Sequence, residues 1–186
     1  MEVVLVRHAE TEWSLSGKHT GRTDVPLTDA GRERARELGA RLAERSFAVV
    51  LTSPLERARE TARLAGLGDA CEVREDLLEW DYGDYEGITT PEIRKQRPDW
   101  YLWRDGVPRG ETPAEVGARC DRVIDEITAV DGHVAIVAHG HILRALAARW
   151  LEQPVDLGGR LYLATGSLSV LGFEREVRVL RRWNAA

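Results

Sequence analysis

The pattern of apolar positions predicts a core of short, fully buried strands. Runs rich in Val, Ile and Leu occur at Val3–Val6, Phe47–Leu51 and Val134–Ala138. Runs of this length without polar alternation are typical of parallel strands that are covered on both faces. Near the end of the chain, Ser167–Phe173 and Val177–Trp183 predict a pair of strands joined by a tight turn. We therefore expect a mostly parallel sheet with an added strand pair.

Helical patterns lie between these strands. Apolar residues recur on one helical face over Asp29–Arg45 and over Ile142–Leu151. Ser53 and Thr112 are each followed by proline and, three residues later, by glutamate. This spacing predicts two N-caps with capping boxes, each at the start of a helix. We expect the first of these two helices to end near Ala65.

Strands that alternate with helices indicate the α/β class, here a three-layer α/β/α sandwich with a mostly parallel central sheet. The 186 residues fit a single domain, residues 1–186. Residues 79–112 are dense in Trp, Tyr, Gly and Pro and predict one short helix at Pro91–Gln96. We interpret residues 79–112 as an insertion over one end of the sheet, where specificity often resides.

Charge and composition exclude several classes of partner. The chain has 26 basic and 31 acidic residues, a formal net charge of −5, and no basic block. We therefore expect no nucleic-acid partner, and any anion must bind locally to a few arginines. Cys71 and Cys120 lack the spacing of metal ligands and predict free buried thiols in a reducing compartment. The apolar run Val3–Val6 is too short for a signal peptide or a membrane span, so we expect a cytoplasmic protein.

Candidate functional residues follow the predicted strands. In open α/β sheets, ligands bind at the carboxyl ends of the strands. The residues found there come from four separate segments: Arg7, His8, Arg57, Glu79, His139 and Gly140. Two arginines form a clamp suited to phosphate, and an unprotonated histidine beside them is a nucleophile. A second histidine can hold a phosphoryl oxygen, and a carboxyl group can protonate the leaving oxygen. Such a site requires no metal ion and no cofactor.

Five segments in chain order resemble the motifs of the histidine phosphatase (phosphoglycerate mutase-like) superfamily. They are Leu5–Thr11, Thr20–Gly31, Ser53–Ala62, Glu79–Gly87 and Val137–Gly140. One short motif is weak evidence, but five in order over nearly the whole chain are specific. Ala9 and Ala138 replace the usual Gly and Ser, and neither change removes a catalytic group. The resemblance implies a phosphoglycerate mutase-like fold.

Carried over position by position, the resemblance implies a role for each residue. His8 is the expected phosphoryl acceptor, Arg7, Arg57 and His139 complete the phosphate pocket, and Glu79 is the expected proton donor. Further substrate or phosphate contacts are expected at Ser14, Thr20, Gly21, Tyr82, Tyr85 and Gly140.

The branch of the superfamily suggests a substrate class. Glu79–Thr90, with Glu12–Ser14 and Thr20-Gly21, resembles a branch of broad-specificity acid phosphatases and sedoheptulose-bisphosphatases. This implies a phosphatase for small phosphorylated metabolites, with sugar phosphates or bisphosphates favoured. A phosphoglycerate mutase and a phosphate-binding module without turnover are the alternatives. The short chain and the acidic stretch Trp80–Tyr85 favour hydrolysis. The sequence does not decide between a monomer and a homodimer.

Several residues keep more than one interpretation. His139 and His141 form an H-x-H pair, but two histidines beside arginines do not make a zinc site, so we expect no metal. Contact of His141 or His19 with substrate stays open. Glu86 is expected to accept hydrogen bonds from backbone N–H groups of its own loop. Of the aromatic residues in 79–112, most are expected in the core of that segment, with Tyr82 and Tyr85 at the mouth of the site.

Overall fold

A six-stranded sheet forms the centre of the computed structural model, which describes residues 1–68 and 71–185. Its strands are β1 (Glu2–Arg7), β2 (Val49–Thr52), β3 (Cys71–Val73), β4 (Val134–Ala138), β5 (Leu168–Glu174) and β6 (Val177–Ala185). Their order across the sheet is β3-β2-β4-β1-β5-β6. The first four in this order are parallel, whereas β5 and β6 are antiparallel to their neighbours. The predicted mostly parallel sheet and the predicted strand pair are confirmed.

Helices cover both faces of the sheet. They are α1 (Glu12–Ser16), α2 (Asp29–Leu42), α3 (Glu56–Leu64), α4 (Thr90–Gln96), α5 (Leu102–Asp105), α6 (Pro113–Thr128) and α7 (Gly140–Trp150). In β1, Val4 and Val6 pack on the side of α2 and α3, while Val3 and Leu5 pack on the side of α6 and α7. Both sets are fully buried, which explains the unbroken apolar run. The structure is therefore the expected three-layer α/β/α sandwich.

The two predicted capping boxes have different outcomes. The Thr112 hydroxyl accepts from the Glu115 N–H and the Glu115 carboxylate accepts from the Thr112 N–H, so the box that begins α6 is confirmed. The prediction for Ser53 is wrong. Helix α3 begins at Glu56, its N-cap is Leu55, and no side chain caps it. The Ser53 hydroxyl instead contacts His139. Helix α2 also ends at Leu42, three residues before the predicted end.

Residues 79–112 combine a 3₁₀ turn at Gly83–Tyr85 with α4 and α5. Three tryptophans in this segment, Trp80, Trp100 and Trp103, are buried, as expected for its core. The indole N–H of Trp80 donates to the Glu111 carbonyl and that of Trp100 to the Gly106 carbonyl, both at 2.9 Å. Buried indoles with satisfied N–H groups hold this irregular segment in one arrangement.

The two cysteines are free thiols. Cys120 is buried in the core, and this burial raises the pKa of its thiol to about 12. Cys71 is only half-buried, which corrects the expectation that both thiols are buried. Among residues 1–68 and 71–185, no helix combines the length and apolar character that crossing a membrane requires.

Candidate active site

The carboxyl ends of β1, β2 and β4 meet at one edge of the sheet. The His8 N–H donates to the Ala138 carbonyl at 2.8 Å, and the Ser53 N–H donates to the Val137 carbonyl at 3.1 Å. These bonds extend the sheet pairing by one residue beyond each strand. They bring His8 beside His139, with ring centroids 5.1 Å apart.

His8 is buried and held in one tautomer. Its Nδ1 lies 2.7 Å from the Ala9 carbonyl oxygen. A carbonyl can only accept, so Nδ1 carries the proton and Nε2 keeps a free lone pair. Burial, followed by the charges of Arg7 and Arg57, lowers the pKa of His8 well below its ordinary 6.5. The ring is therefore neutral at neutral pH and has an unprotonated nitrogen that can attack an electrophile.

Arg57 is fully buried in the first turn of α3. Its Nη1 donates to the Thr23 carbonyl at 2.8 Å, and its Nη2 donates to the carbonyls of Thr20 at 3.1 Å and Gly21 at 2.9 Å. Its Nε donates to His139 Nδ1 at 3.1 Å. Burial lowers the pKa of this guanidinium. Arg57 thus joins the loop before α2 to the second histidine.

His139 is also buried and neutral. Because Arg57 donates to its Nδ1, the proton lies on Nε2, which donates to the Ser53 Oγ at 2.7 Å. Burial, then the neighbouring charges of Arg57 and the other site groups, lowers the pKa of His139 well below 6.5. Both ring nitrogens of His139 therefore have protein partners.

Arg7 lies against the first residue of α7. Its Nη1 donates to the Leu163 carbonyl. A Cβ added to Gly140 would lie 3.2 Å from both Cζ and Nε of Arg7, so only glycine allows this approach without a shift. The Arg7 Nε is buried and has no hydrogen-bond partner among the residues that the structure describes. A buried donor of this kind requires an acceptor, and an oxyanion is the strongest one.

Glu79 reaches the site from the segment after β3. Its side chain is buried, and its two carboxyl oxygens accept three backbone N–H groups at 2.9 Å, from Trp80, His141 and Ile142. The last two belong to the first turn of α7, where N–H groups have no partner within the helix. The start of α7 therefore carries both Gly140, against Arg7, and the donors that hold Glu79.

Aromatic and imidazole side chains form an outer wall. His19 Nδ1 lies 2.7 Å from the Ile88 carbonyl, so its Nε2 is an acceptor. The Tyr82 hydroxyl bonds to His141 Nδ1. Burial raises the pKa of Tyr82 well above 10 and lowers the pKa values of His19 and His141, the last of them well below 6.5. These three groups are neutral hydrogen-bonding groups at neutral pH.

Main-chain bonds join two rims of the site. The His19 N–H donates to the Ile88 carbonyl at 3.0 Å, and the Gly87 N–H donates to the His19 carbonyl at 2.8 Å. An antiparallel bridge between Lys18 and Thr89 continues this pairing. The segment before α2 is therefore held against the start of α4.

A cavity of about 350 Å³ opens above His8. Its lining includes Arg7, His8, Ser14, Thr20, Glu79, Tyr82 and Gly140 from the predicted set, and also Lys18, His19, Arg94, Trp103, His141 and Arg144. Ser14 lines the cavity although its hydroxyl donates to the Thr11 carbonyl. A cavity of this size fits a small metabolite.

Four residues of the predicted set do not line this cavity: Gly21, Arg57, Tyr85 and His139. Arg57 and His139 lie behind His8. A loop carbonyl binds the Arg57 guanidinium, and the Ser53 hydroxyl binds the His139 ring. Gly21 packs against Glu86. The expected position of Tyr85 at the mouth is wrong, because its ring packs edge-on against Trp100 and its hydroxyl accepts from Arg97.

Glu86 binds a different loop from the one expected. Its carboxylate accepts from the N–H groups of Gly21 at 2.9 and 3.0 Å and of Thr23 at 3.0 Å. It therefore orders the loop whose carbonyls bind Arg57.

The two histidines of the H-x-H pair have different hydrogen-bond partners. His139 bonds to Ser53 and Arg57, whereas His141 bonds to Tyr82.

Sequence reasoning missed three cations of the lining, Lys18, Arg94 and Arg144. Arg144 had a usable signal, because it stands one helical turn after Gly140 and so shares a helix face with it. Lys18 and Arg94 had none, since only the tertiary structure brings these two segments together.

Comparison with known proteins is consistent with this site. The sequence profile of the histidine phosphatase superfamily (branch 1) matches residues 3–186. An acid phosphatase of Mycobacterium tuberculosis is 44% identical over 184 residues, which cover 96% of this chain and 89% of that protein. Sedoheptulose 1,7-bisphosphatase of Saccharomyces cerevisiae is 37% identical over 180 residues, covering 79% of this chain and 66% of that one. A solved structure from Mycobacterium tuberculosis superposes with a TM-score of 0.95 at 42% identity, covering 100% of this chain and 97% of the other.

Proposed function

Because this chain belongs to the histidine phosphatase superfamily and is a phosphatase, we propose that it hydrolyses phosphate monoesters of small sugars through a phosphohistidine on His8. The observation that carries the proposal is the state of the His8 ring. Its Nδ1–H is bound to the Ala9 carbonyl, its Nε2 is unprotonated, and the residue lines the cavity.

In the first step, His8 Nε2 attacks the phosphorus of the bound ester. A bond forms between Nε2 and phosphorus while the bond between phosphorus and the ester oxygen breaks. The leaving oxygen takes a proton from the Glu79 carboxyl and departs as an alcohol. The Ala9 carbonyl stabilises the positive charge that develops on the ring, because it accepts from Nδ1–H.

In the second step, water attacks the phosphohistidine. Glu79 accepts a proton from this water, the new oxygen–phosphorus bond forms, and the bond from phosphorus to Nε2 breaks. Inorganic phosphate leaves, and both residues return to their initial states.

The cationic groups stabilise the charge on the phosphoryl oxygens. The buried Arg7 Nε has no other hydrogen-bond partner in the described part of the chain and suits an oxyanion. Arg57 acts through its charge from behind His8: burial, followed by the charges of Arg7 and Arg57, lowers the pKa of the nucleophile. The neutral His139 ring lies beside His8, with ring centroids 5.1 Å apart. In this proposal Ser53 is a positioning residue, because it holds the His139 ring.

The outer wall supports a sugar as the alcohol. His19 Nε2 is an acceptor, and the Tyr82–His141 pair offers neutral polar groups in the same cavity. Neutral donors and acceptors beside aromatic rings suit hydroxyl groups, because burying a hydroxyl requires a hydrogen-bond partner. Residues 79–112 contribute Tyr82 and several aromatic rings to this wall, in keeping with a role in specificity.

The test is direct detection of the intermediate. Brief reaction with a ³²P-labelled sugar phosphate, quenched in base, should give acid-labile label that peptide mapping assigns to His8. His8→Ala should lose both the label and turnover. His133→Ala, which removes an exposed histidine outside the site, should keep both. Label on a serine, or normal kcat in the His8→Ala variant, contradicts the mechanism.

The same assay separates the two alternatives. A phosphoglycerate mutase would isomerise 3-phosphoglycerate faster than it releases phosphate. A binding module would bind phosphate esters without release. We expect phosphate release to dominate with every ester that is turned over.

A further inference from the structure

Residues 161–167 form a loop that binds Arg7 at two points. The Arg7 N–H donates to the Ser167 carbonyl at 3.2 Å, and the Arg7 Nη1 donates to the Leu163 carbonyl. Within residues 1–68 and 71–185, the Leu163 carbonyl is the one hydrogen-bond acceptor that the Arg7 side chain contacts. The direction in which the unpartnered Nε of Arg7 points therefore depends on the position of this carbonyl.

The peptide group that contains this carbonyl is held from its other side by Asn184. A peptide group is planar and trans, so the Leu163 carbonyl and the Ala164 N–H point in opposite directions from it. The Asn184 Oδ1 accepts from the Ala164 N–H at 2.7 Å. Asn184 and Arg7 therefore bind opposite sides of one peptide group. In such a chain each hydrogen bond polarises the next, so the bond to Asn184 makes the carbonyl a stronger acceptor for Arg7.

The neighbouring residue of β6 holds the preceding peptide group of the loop. The Trp183 indole N–H donates to the Tyr162 carbonyl at 2.6 Å, and the Trp183 side chain packs against the buried core. The Ser167 hydroxyl donates to the Ala164 carbonyl at 2.7 Å and restrains the loop on its other side. Two successive residues of β6 therefore bind two successive peptide groups of the loop.

An irregularity in β6 directs Asn184 at the loop. Between its pairings with Leu168 and Val170 of β5, β6 contains two residues where β5 contains one, Ser169. This is the arrangement of a β-bulge, which redirects side chains from the regular alternation. Asn184 lies in the bulge, and its φ of 52° is in the left-handed region, which Asn adopts more readily than most residues. Its N–H donates to the Ser169 hydroxyl at 3.0 Å, which holds the bulge in place.

We propose that Asn184 is a positioning residue for Arg7 and acts through the peptide group of Leu163 and Ala164, with Trp183 as its support. The proposal rests on the proposed function, because it takes Arg7 as the group that binds the phosphoryl oxygens. Without the bond to Asn184 this peptide group is free to rotate, and the Arg7 guanidinium moves with the carbonyl that it contacts. The consequence is weaker binding of the phosphoryl group by a folded protein.

Variants of Asn184 test this role with p-nitrophenyl phosphate, whose leaving group does not need a proton from Glu79. Asn184→Gly removes the acceptor and keeps the backbone conformation, because glycine adopts positive φ freely. We expect kcat/KM to fall about three- to tenfold, as for the loss of one hydrogen bond. The dissociation constant of vanadate, a transition-state analogue, should rise by a similar factor in isothermal titration. Asn184→Asp keeps an acceptor oxygen and should restore both values to within about twofold of the parent protein.

Two further variants in β6 complete the set. Trp183→Phe removes the indole N–H but keeps an aromatic ring, and it should change kcat/KM and vanadate affinity in the same direction as Asn184→Gly. Arg182→Gln is the matched control, because this exposed side chain lies two residues before Asn184 in the same strand. It should leave both values unchanged.

A spectroscopic signal separates the positioning of Arg7 from a general loss of structure. In ¹⁵N NMR spectra, the Arg7 Nε–H resonance is assigned by its absence in Arg7→Lys. Asn184→Gly should shift this resonance, Asn184→Asp should return it towards its parent position, and Arg182→Gln should leave it in place. A resonance that does not move in Asn184→Gly, or unchanged kcat/KM and vanadate affinity in that variant, would overturn the proposal.

The same measurements keep this inference separate from the proposed function. If the parent protein hydrolyses no phosphate ester while Asn184→Gly still shifts the Arg7 resonance and weakens vanadate binding, the proposed function is refuted and the positioning of Arg7 by Asn184 is supported.

Discussion

Hydrogen bonds to Nδ1 set which ring nitrogen of each histidine carries the proton at this site. Ala9 fixes the tautomer of His8, Ile88 fixes that of His19, and Arg57 fixes that of His139. Arg57 is itself held by three loop carbonyls. The Nδ1 of each of these three rings has one fixed partner, so the free lone pair on His8 Nε2 does not depend on a nearby carboxylate. Such preorganisation avoids rearrangement when the nucleophile attacks.

The role of Glu79 can be measured by its dependence on the leaving group. A sugar alkoxide leaves poorly without a proton, whereas p-nitrophenolate leaves readily. Glu79→Gln should therefore reduce kcat on a sugar phosphate by about 10² or more, the usual contribution of a general acid, and reduce it far less on p-nitrophenyl phosphate. Steady-state kinetics on both substrates provide the measurement.

Glu75→Gln is the matched control, since this exposed glutamate lies four residues earlier. Circular dichroism should confirm that Glu79→Gln is folded, because the side chain also accepts three backbone N–H bonds. Equal losses on both substrates would mean that Glu79 is not the acid.

At the scale of secondary structure, the first turn of α7 combines two functions. Gly140 allows Arg7 to approach, and the next two N–H groups bind Glu79. A shift of this turn therefore affects the phosphate contact and the acid together.

Gly140→Ala should separate activity from stability. The added Cβ would lie 3.2 Å from the Arg7 guanidinium, so this buried group must shift by a few tenths of an ångström. In a helix interior alanine is the better helix former by up to about 1 kcal/mol, and at this first helical position its advantage is smaller. We expect the melting temperature to stay equal or rise, while kcat/KM falls about tenfold or more. Unchanged kcat/KM with a raised melting temperature would show that the position of Arg7 is not critical.

Local signals in the sequence predicted most elements, and long-range contacts account for the failures. The box of Thr112 and Glu115 is confirmed because both partners lie within one helical turn. The same signal at Ser53 failed because His139, 86 residues away, bonds to the hydroxyl. No local pattern contains that contact.

The site itself was predictable in part. Arg7, His8, Glu79 and Gly140 were expected at one sheet edge because parallel strands end there, and the structure brings them together. Which of the expected residues line the cavity could not be predicted, because that depends on side-chain packing between distant segments.

For the whole molecule, the neutral histidines predict weakening in mild acid. Burial lowers the pKa values of His8, His139 and His141 well below 6.5 in the folded protein. Below pH 6.5 the unfolded chain binds protons that the folded chain does not. The free energy of unfolding therefore decreases as the pH is lowered. This stability is complete above pH 6.5 and is lost as pH falls from 6.5 towards the lower folded-state values, by up to about 1.4 kcal/mol per pH unit for each histidine.

Urea unfolding between pH 7.5 and 5.5 measures this slope. His8→Gln should reduce the slope by up to about 1.4 kcal/mol per pH unit, since it removes one such group. His133→Gln, which removes an exposed histidine, serves as the control. A parent protein whose free energy of unfolding is constant from pH 6.5 to 5.5 would show that these histidines do not stay neutral on folding.

The main-chain pairing of Lys18 and His19 with Gly87–Thr89 has a consequence for how specificity can diverge. Hydrogen bonds between backbone groups are compatible with many side chains, so this pairing fixes the position of the cavity wall but not its side chains. Residues 90–112, which follow the pairing, could then be exchanged between relatives as one segment, the exchanged cassette. A chimera joined after Thr89 should keep the His8 nucleophile and acquire the substrate preference of the donor of the cassette.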